Sequence, residues 1–299
     1  PQVPKPPFPM RLRAHAKINL DLRVGARHPD GYHDISTVFQ SLALHDVVHV
    51  DRRAGPLEVT SDDPQVPGGR ANLCAKAVEA LWRALDRPGV PDGYAIAIEK
   101  RIPSAAGLGG GSSDAAAVIV ALAGEWGVPV EDPRVRAAAA RVGADVPYFL
   151  VGGTALGVGR GDVLTPLADG PAAEVVLVQP AFGLSTAEVY GLHDAAERAA
   201  HAWAAGGLAE PVCGCRNDLE RAVVSRRPEI RELGARLRLL GARFAAMTGS
   251  GSVVFGLFEG AASADRAAVA LQAPGHRVVR TATLGRRAYL RSQAGRGAP

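Results

Sequence analysis

An α+β fold in two domains is predicted by three features of the sequence. Strand-like and helix-like stretches mix without the strict alternation of a doubly wound sheet. At 299 residues, 47% of them hydrophobic, the chain can bury two separate cores. A stretch without periodicity, 162–173 (DVLTPLADGPAA), divides the mixture into halves and reads as a crossing between domains.

The first nine residues carry five prolines and can neither pair nor coil, so 1–9 reads as a tail. From Arg13 to Val24 apolar and polar residues alternate. His28-Pro29-Asp30-Gly31 then supplies turn chemistry, and Ile35 to Leu44 alternates again, which predicts a β-hairpin. Further short strands are expected within 45–60 and 94–100. Between them Leu73, Ala77, Leu81 and Leu85 recur four apart, predicting a helix over 72–85. Helices at 113–126 and 133–142 and a strand near 153–158 complete a first domain placed at 10–161. The second, 162–290, is expected to hold a strand at 174–179, helices at 186–204 and 217–240, a strand pair around Met247 to Phe258, a helix at 262–272 and a last strand. The glycine-rich end, 291–299, reads as a second tail, and no internal repeat is present.

Net charge is +4 with a pI near 9.2, a mild excess that favours an anionic ligand but is too small for a nucleic-acid stripe. The longest apolar run, Ala115 to Ala123, falls short of the roughly 18 to 20 residues that span a bilayer, and the start lacks a signal-peptide block. No membrane role and a cytoplasmic location are therefore expected. Cys74, Cys213 and Cys215 have no zinc spacing, and Cys213-Gly214-Cys215 is too tight for a disulfide, so all three read as reduced thiols. Only Lys5, Lys17, Lys76 and Lys100 are lysines among 34 basic residues; a lysine here marks a place where a compact ammonium is wanted.

The strongest local signal is PSAAGLGGGSSDAAA, Pro103 to Ala117. Its run Ala106-Gly107-Leu108-Gly109-Gly110-Gly111 lets backbone approach a ligand closely. A loop that becomes a helix N-terminus aims unpaired N–H groups and a positive dipole end at one point, which describes a phosphate site. Ser112 and Ser113 can cap the helix or bind phosphate or Mg²⁺. The Walker pattern would need a lysine in the block. The dinucleotide fingerprint meets Ser112 where its third glycine belongs, so neither applies.

Other pieces carry two readings each. Lys17 and Asn19 share one side of a strand, with Ile18 and Leu20 toward the core; they can hold an anion and a hydroxyl, or lie on a wet face. Asp145 in GADVP is a general base or the cap of a helix starting at Pro147. Tyr32 and His33 leave the Asp30-Gly31 turn and either clasp a nucleobase or form an exposed strand start. Met247-Thr248-Gly249-Ser250-Gly251-Ser252 is a tight turn or a second backbone donor loop.

Together these pieces resemble the superfamily of galactokinase, homoserine kinase, mevalonate kinase and phosphomevalonate kinase. Within it AKINLDLRVGARHPDGYHDISTVFQSLALHD, GLGGGSSDAA, GADVPYF, STAEVY, NDLE at Asn217 and MTGSGS are similar to the 4-diphosphocytidyl-2-C-methyl-D-erythritol kinases, across nearly the whole chain. His15 departs from that pattern, which has proline there. The resemblance implies a ribosomal-protein-like N-terminal domain, a ferredoxin-like C-terminal domain and a cleft between them. It implies ATP-dependent phosphorylation of the acceptor's 2-hydroxyl, with ATP and Mg²⁺, a small substrate bearing a cytidine diphosphate, no nucleic-acid partner, and a monomer or weak homodimer. Lys17 and Asp145 would flank the hydroxyl and Asn19 would place it. Residues Pro103 to Ser113 would cradle ATP, with Ser113 a candidate metal ligand and Asn72 and Lys100 near the adenosine. Tyr32, His33 and Tyr190 would surround the cytosine, and Thr248, Gly249, Ser250 and Gly251 would form a supporting loop. Two rivals are another kinase of the superfamily, which has no use for Gly31-Tyr32-His33, and an RNA-binding module, which predicts clustered basic residues where the arginines here are scattered.

Overall fold

The computed structural model describes residues 9–200 and 216–293. Strands β1 (Met10–Arg27) and β2 (His33–Arg52) form the predicted hairpin, antiparallel from Met10↔Val50 to Arg27↔His33. In its turn the Gly31 N–H donates to the His28 carbonyl, and Gly31 sits at φ +88°, where glycine alone is unstrained. β2 is one continuous strand where 35–44 and part of 45–60 were expected as separate pieces. β1 occupies one edge. The other edge is shared by β4 (Tyr94–Glu99), paired to Val47–Arg52, and β5 (Thr154–Val158), paired to Thr37–Gln40. A strand paired on both edges runs on through a local lapse in alternation.

β3 (Glu58–Ser61) lies parallel to β4, and β6 (Val163–Pro166) antiparallel to β5. β6 corrects the reading of 162–173 as a plain crossing: its first part is an edge strand of the first sheet, and 167–173 make the passage. Helices α1 (Leu73–Ala84), α2 (Gly110–Glu125) and α3 (Pro133–Val142) pack over this sheet in one core that includes Val48, Ile96, Leu81 and Ile119. Asn72 caps α1, its Oδ1 accepting the Cys74 N–H at 2.8 Å, and Asp132 with Pro133 starts α3. α4 (Tyr148–Val151) is a single turn.

The second sheet runs β10 (Arg277–Ala282), β7 (Glu174–Gln179), β9 (Val254–Phe258), β8 (Phe244–Met247), all antiparallel. The pair expected around Met247 to Phe258 therefore starts earlier, and 248–253 is its connecting loop. Helices α5 (Thr186–Ala200), α6 (Asp218–Val224), α7 (Glu229–Leu239) and α8 (Ala261–Ala270) build its core. One helix was predicted over 217–240. Pro228 divides it, because proline lacks the N–H and bars its predecessor from helical geometry. Positions 201–204 of the helix predicted at 186–204, and Cys213 and Cys215, lie outside the described residues. Cys74 is a buried free thiol.

A helix the sequence reading did not contain, α9 (Arg286–Gln293), returns to the first domain. Tyr289 and Gln293 both donate to the Phe149 carbonyl, so residues 291–293 are helix and not tail. Buried His15 joins that contact, one ring nitrogen 2.9 Å from Ser292 Oγ; burial and neighbouring His45 pull its pKa down to about 4. A third core, with Ile18, Leu42, Leu108, Leu177 and Phe255, fills the seam between the sheets directly behind the segment of β1 that bears the candidate site.

Candidate functional site

Strand alternation puts Ile18 into the seam core and leaves Lys17 and Asn19 together on the opposite side. That side is no wet face, since both residues are buried. Lys17 Nζ donates to Asn19 Oδ1 at 2.9 Å and stands 3.3 Å from Asp145 Oδ2. Asn19 is fixed twice more: its Nδ2 donates to Thr37 Oγ1 at 2.7 Å, and its backbone N–H to Thr248 Oγ1 at 3.0 Å. Asp145 caps nothing. α4 begins after Pro147 with no side-chain cap, and the carboxylate stays 36% exposed beside the ammonium, so the capping alternative falls away.

The glycine loop lies against the same strand, the Lys17 N–H donating to the Leu108 carbonyl at 3.0 Å. Gly109 stands before α2 at φ +72° without a capping side chain, and Ser113 makes the first bond back to the Gly109 carbonyl. The N–H groups of Gly110, Gly111 and Ser112 thus precede the helical ladder at the positive dipole end, as an anion site requires.

The glycines themselves do different work than expected. A Cβ at Gly107 would lie 2.6 Å from the Thr248 carbonyl oxygen, and one at Gly251 2.4 Å from the Ala106 backbone, so the two loops interlock main chain to main chain. One at Gly109 would meet Phe149 at 2.7 Å, and one at Gly110 would meet Lys100 Nζ and Ile102 Cγ2 at 3.2 Å. Only Gly111 opens outward, with Leu73 Cδ1 at 3.4 Å. Gly111→Ala is therefore expected to keep or raise stability, alanine being about 1 kcal/mol better in a helix. The added methyl should raise the KM for ATP severalfold by crowding the first turn. An unchanged KM in a steady-state titration would remove the phosphate from that turn.

Two residues expected near adenosine hold protein partners. Lys100 Nζ is ion-paired with Asp46 and, at 2.8 Å, with Asp114, all three buried beneath α2. Burial alone would lower the Lys100 pKa, but the two carboxylates carry it above its usual value. Burial, with Asp46 beside it, pushes Asp114 up to about 7 against the pull of Lys100. Asp46 Oδ1 also accepts the N–H groups of Arg101 and Ile102, so the cluster ties the end of β4 to β2 and α2. Asn72, besides capping α1, donates to the Pro67 carbonyl at 2.8 Å. Ser112 faces the cleft, whereas Ser113 Oγ is buried with no partner among the described residues, an orphaned oxygen of the kind a metal or water satisfies. Among the described residues no group of three His, Cys, Asp or Glu side chains could hold a metal.

One cleft of about 560 Å³ runs from Lys17, Asp145 and Ser112 to Tyr32, His33 and Tyr190. The His33 and Tyr190 rings lie 5.1 Å apart and tilted by 33°, and a His33 nitrogen, Nε2, is 2.7 Å from Asp194 Oδ1. Tyr32 is 57% exposed at the mouth, with the Arg160 guanidinium 4.2 Å from its ring centre. Burial and the nearby Asp145 charge push the Tyr190 hydroxyl up to about 12. The supporting loop behaves as a unit: Asn217 Nδ2 donates to the Met247 and Gly249 carbonyls, and Ser250 Oγ meets Thr186 Oγ1 at 2.9 Å. Gly249 sits at φ +57°, where a Cβ would press on Asn19 Oδ1 at 3.3 Å.

Sequence reasoning missed Thr37, Arg160 and Asp194. Asp194 was findable, four residues after Tyr190 and so on the same helical face. Arg160 carries no such signal, because the turn between β5 and β6 brings it to Tyr32.

Comparison with known proteins gives the family. The GHMP kinases N-terminal domain matches residues 72–153, and the GHMP kinases C-terminal domain matches 206–277. A 4-diphosphocytidyl-2-C-methyl-D-erythritol kinase of Moorella thermoacetica is 38% identical over 286 residues, 92% of this chain and 99% of its own. That of Pelotomaculum thermopropionicum is 42% identical over 253 residues, 82% of this chain and 87% of its own. A crystal structure of a 4-(cytidine 5'-diphospho)-2C-methyl-D-erythritol kinase superposes with a TM-score of 0.76 at 36% identity, covering 92% of this chain and all of that one. Homoserine kinase from Cytophaga hutchinsonii, at 16% identity and a TM-score of 0.65 over 95% of this chain and 96% of its own, shares the fold alone. Identity of this order, sustained along nearly the full length of both chains, means that the chain belongs to the 4-diphosphocytidyl-2-C-methyl-D-erythritol kinase family of the GHMP kinases.

Proposed function

We propose that the protein transfers the γ-phosphoryl group of ATP to the 2-hydroxyl of 4-diphosphocytidyl-2-C-methyl-D-erythritol. The observation that carries this is the single cleft with Lys17 and Asp145 beside the start of α2 at one end and Tyr32, His33 and Tyr190 at the other. Phosphoryl transfer asks mainly for alignment and for charge neutralisation by N–H groups and cations. The first turn of α2 receives the phosphates, and Lys17 places a buried ammonium beside the reacting oxygens. Asp145 Oδ2, within reach of that ammonium, accepts the proton of the acceptor hydroxyl, while Asn19, held by Thr37 and Thr248, orients it. Mg²⁺, bound with the nucleotide, would neutralise phosphate charge near the Ser112 and Ser113 hydroxyls. The free thiol of Cys74 supports a reducing, cytoplasmic setting, and no helix among the described residues is long and apolar enough to cross a membrane.

A coupled assay of ATP turnover with and without the cytidine-bearing acceptor tests the reading. Acceptor-independent hydrolysis alone would end it. Stacking on an aromatic ring is worth roughly 1 to 3 kcal/mol per base, so Tyr32→Ala should raise the acceptor KM on the order of ten- to a hundredfold. The KM for ATP should barely move. Equal use by the wild type of methylerythritol phosphate, which lacks the nucleotide, would take the cytosine end out of the assignment and favour another small-molecule kinase.

A further inference from the structure

The far end of the cleft is built around an acid–imidazole pair that the reaction itself does not use. His33 Nε2 faces Asp194 Oδ1 at 2.7 Å, and the His33 side chain is 4% exposed. The other Asp194 oxygen stands 3.5 Å from Arg27 Nε, so β1 holds the carboxylate from behind. A carboxylate only accepts hydrogen bonds; the nitrogen facing it carries the proton, and in a neutral imidazole the other nitrogen is then a bare acceptor. Among the described residues Nδ1 of His33 has no hydrogen-bond partner. Tyr190 packs on the ring at 5.1 Å and His193 meets its edge at 6.2 Å, so neighbours fix the ring plane while Asp194 fixes its protons.

We propose that Asp194 is a positioning residue that locks His33 as the Nε2–H tautomer, so that Nδ1 selects an amino-bearing pyrimidine, cytosine, over its carbonyl counterpart, uracil. This rests on the reading of the far end of the cleft as a nucleobase site. Cytosine presents an N–H donor where uracil presents an oxygen. A lone pair on Nδ1 pairs with the first and opposes the second, and a site built to pair a donor rejects the analogue lacking it. Without Asp194 either tautomer is available and the ring can answer both bases. One helix, α5, carries both Tyr190 and the carboxylate, four residues apart.

The test compares kcat/KM for the cytidine acceptor and its uridine counterpart in wild type, Asp194→Ala and Asp194→Asn. In Asp194→Ala the preference for cytidine should fall about tenfold, the worth of one oriented hydrogen bond, through the acceptor KM and with the KM for ATP unchanged. Asparagine, which can accept from Nε2–H or donate to a bare Nε2, should fall between. The ¹⁵N spectrum of the wild-type imidazoles, with His33 assigned by its loss in His33→Gln, should show Nε2–H and an unprotonated Nδ1, and this readout needs no Asp194 variant to fold. A wild type that discriminates, joined to an Asp194→Ala that keeps the ratio or a His33 protonated at Nδ1, overturns the tautomer lock and leaves the cytosine site standing. A wild type that uses both acceptors equally removes the cytosine site and the lock together.

Discussion

Asp145→Asn is expected to lower kcat by roughly a hundred- to ten-thousandfold, the usual cost of removing a general base, with the KM for ATP close to wild type. The amide is nearly isosteric and leaves the Lys17 ammonium its bond to Asn19 Oδ1, so the strand and the glycine loop keep their places. What it cannot do is take the hydroxyl proton. No cap is lost either, since α4 starts after Pro147 without a side-chain cap. The measurement is coupled turnover at saturating substrates beside a nucleotide titration and a melting curve. A folded variant turning over within about threefold of wild type would strip Asp145 of its role and leave alignment by Lys17 and α2 as the whole mechanism.

Gly251→Ala is expected to damage stability and activity together. Its Cβ would lie 2.4 Å from the Ala106 carbonyl and the Gly107 nitrogen, backbone atoms that cannot rotate away. Gly107 is confined as well, since a Cβ built on it would lie 2.6 Å from the Thr248 carbonyl oxygen. Overpacking of this kind costs about 1–3 kcal/mol, and at about 2–4 °C per kcal/mol for a chain of this class the Tm should drop by several degrees. The displaced loop also carries Thr248, whose hydroxyl holds the Asn19 N–H, so the KM for ATP should rise and kcat fall by at least about tenfold. Gly170→Ala, with nothing within 4 Å, is the control and should match wild type in both assays. A Gly251→Ala protein that melts and turns over normally would mean that the loops are not interlocked.

Much of the local architecture was legible in the sequence because it follows from near neighbours. Alternation gave the β1–β2 hairpin and placed Lys17 beside Asn19; Gly31 gave the turn; the four-residue spacing of Leu73, Ala77, Leu81 and Leu85 gave α1. Joint motifs along the chain gave the family. Pairing between distant segments was not legible. β6 has no alternation of its own and is a strand because β5 offers it an edge. α9 is polar in sequence and is held by the Phe149 carbonyl.

The division runs through the site as well. By itself the sequence determined which residue types stand on which side of a strand, and that a glycine-rich loop opens a helix, since periodicity and backbone freedom are properties of the chain alone. Only the tertiary structure decided what those residues face. It set Asp145 against Lys17, withdrew Lys100 into a cluster with Asp46 and Asp114, and assigned each glycine to main-chain contact, side-chain contact or open cleft. The physical reason is that charge pairing and steric fit depend on distances between atoms far apart in the chain. No local pattern encodes those distances until the two sheets meet across Ile18, Leu108 and Phe255.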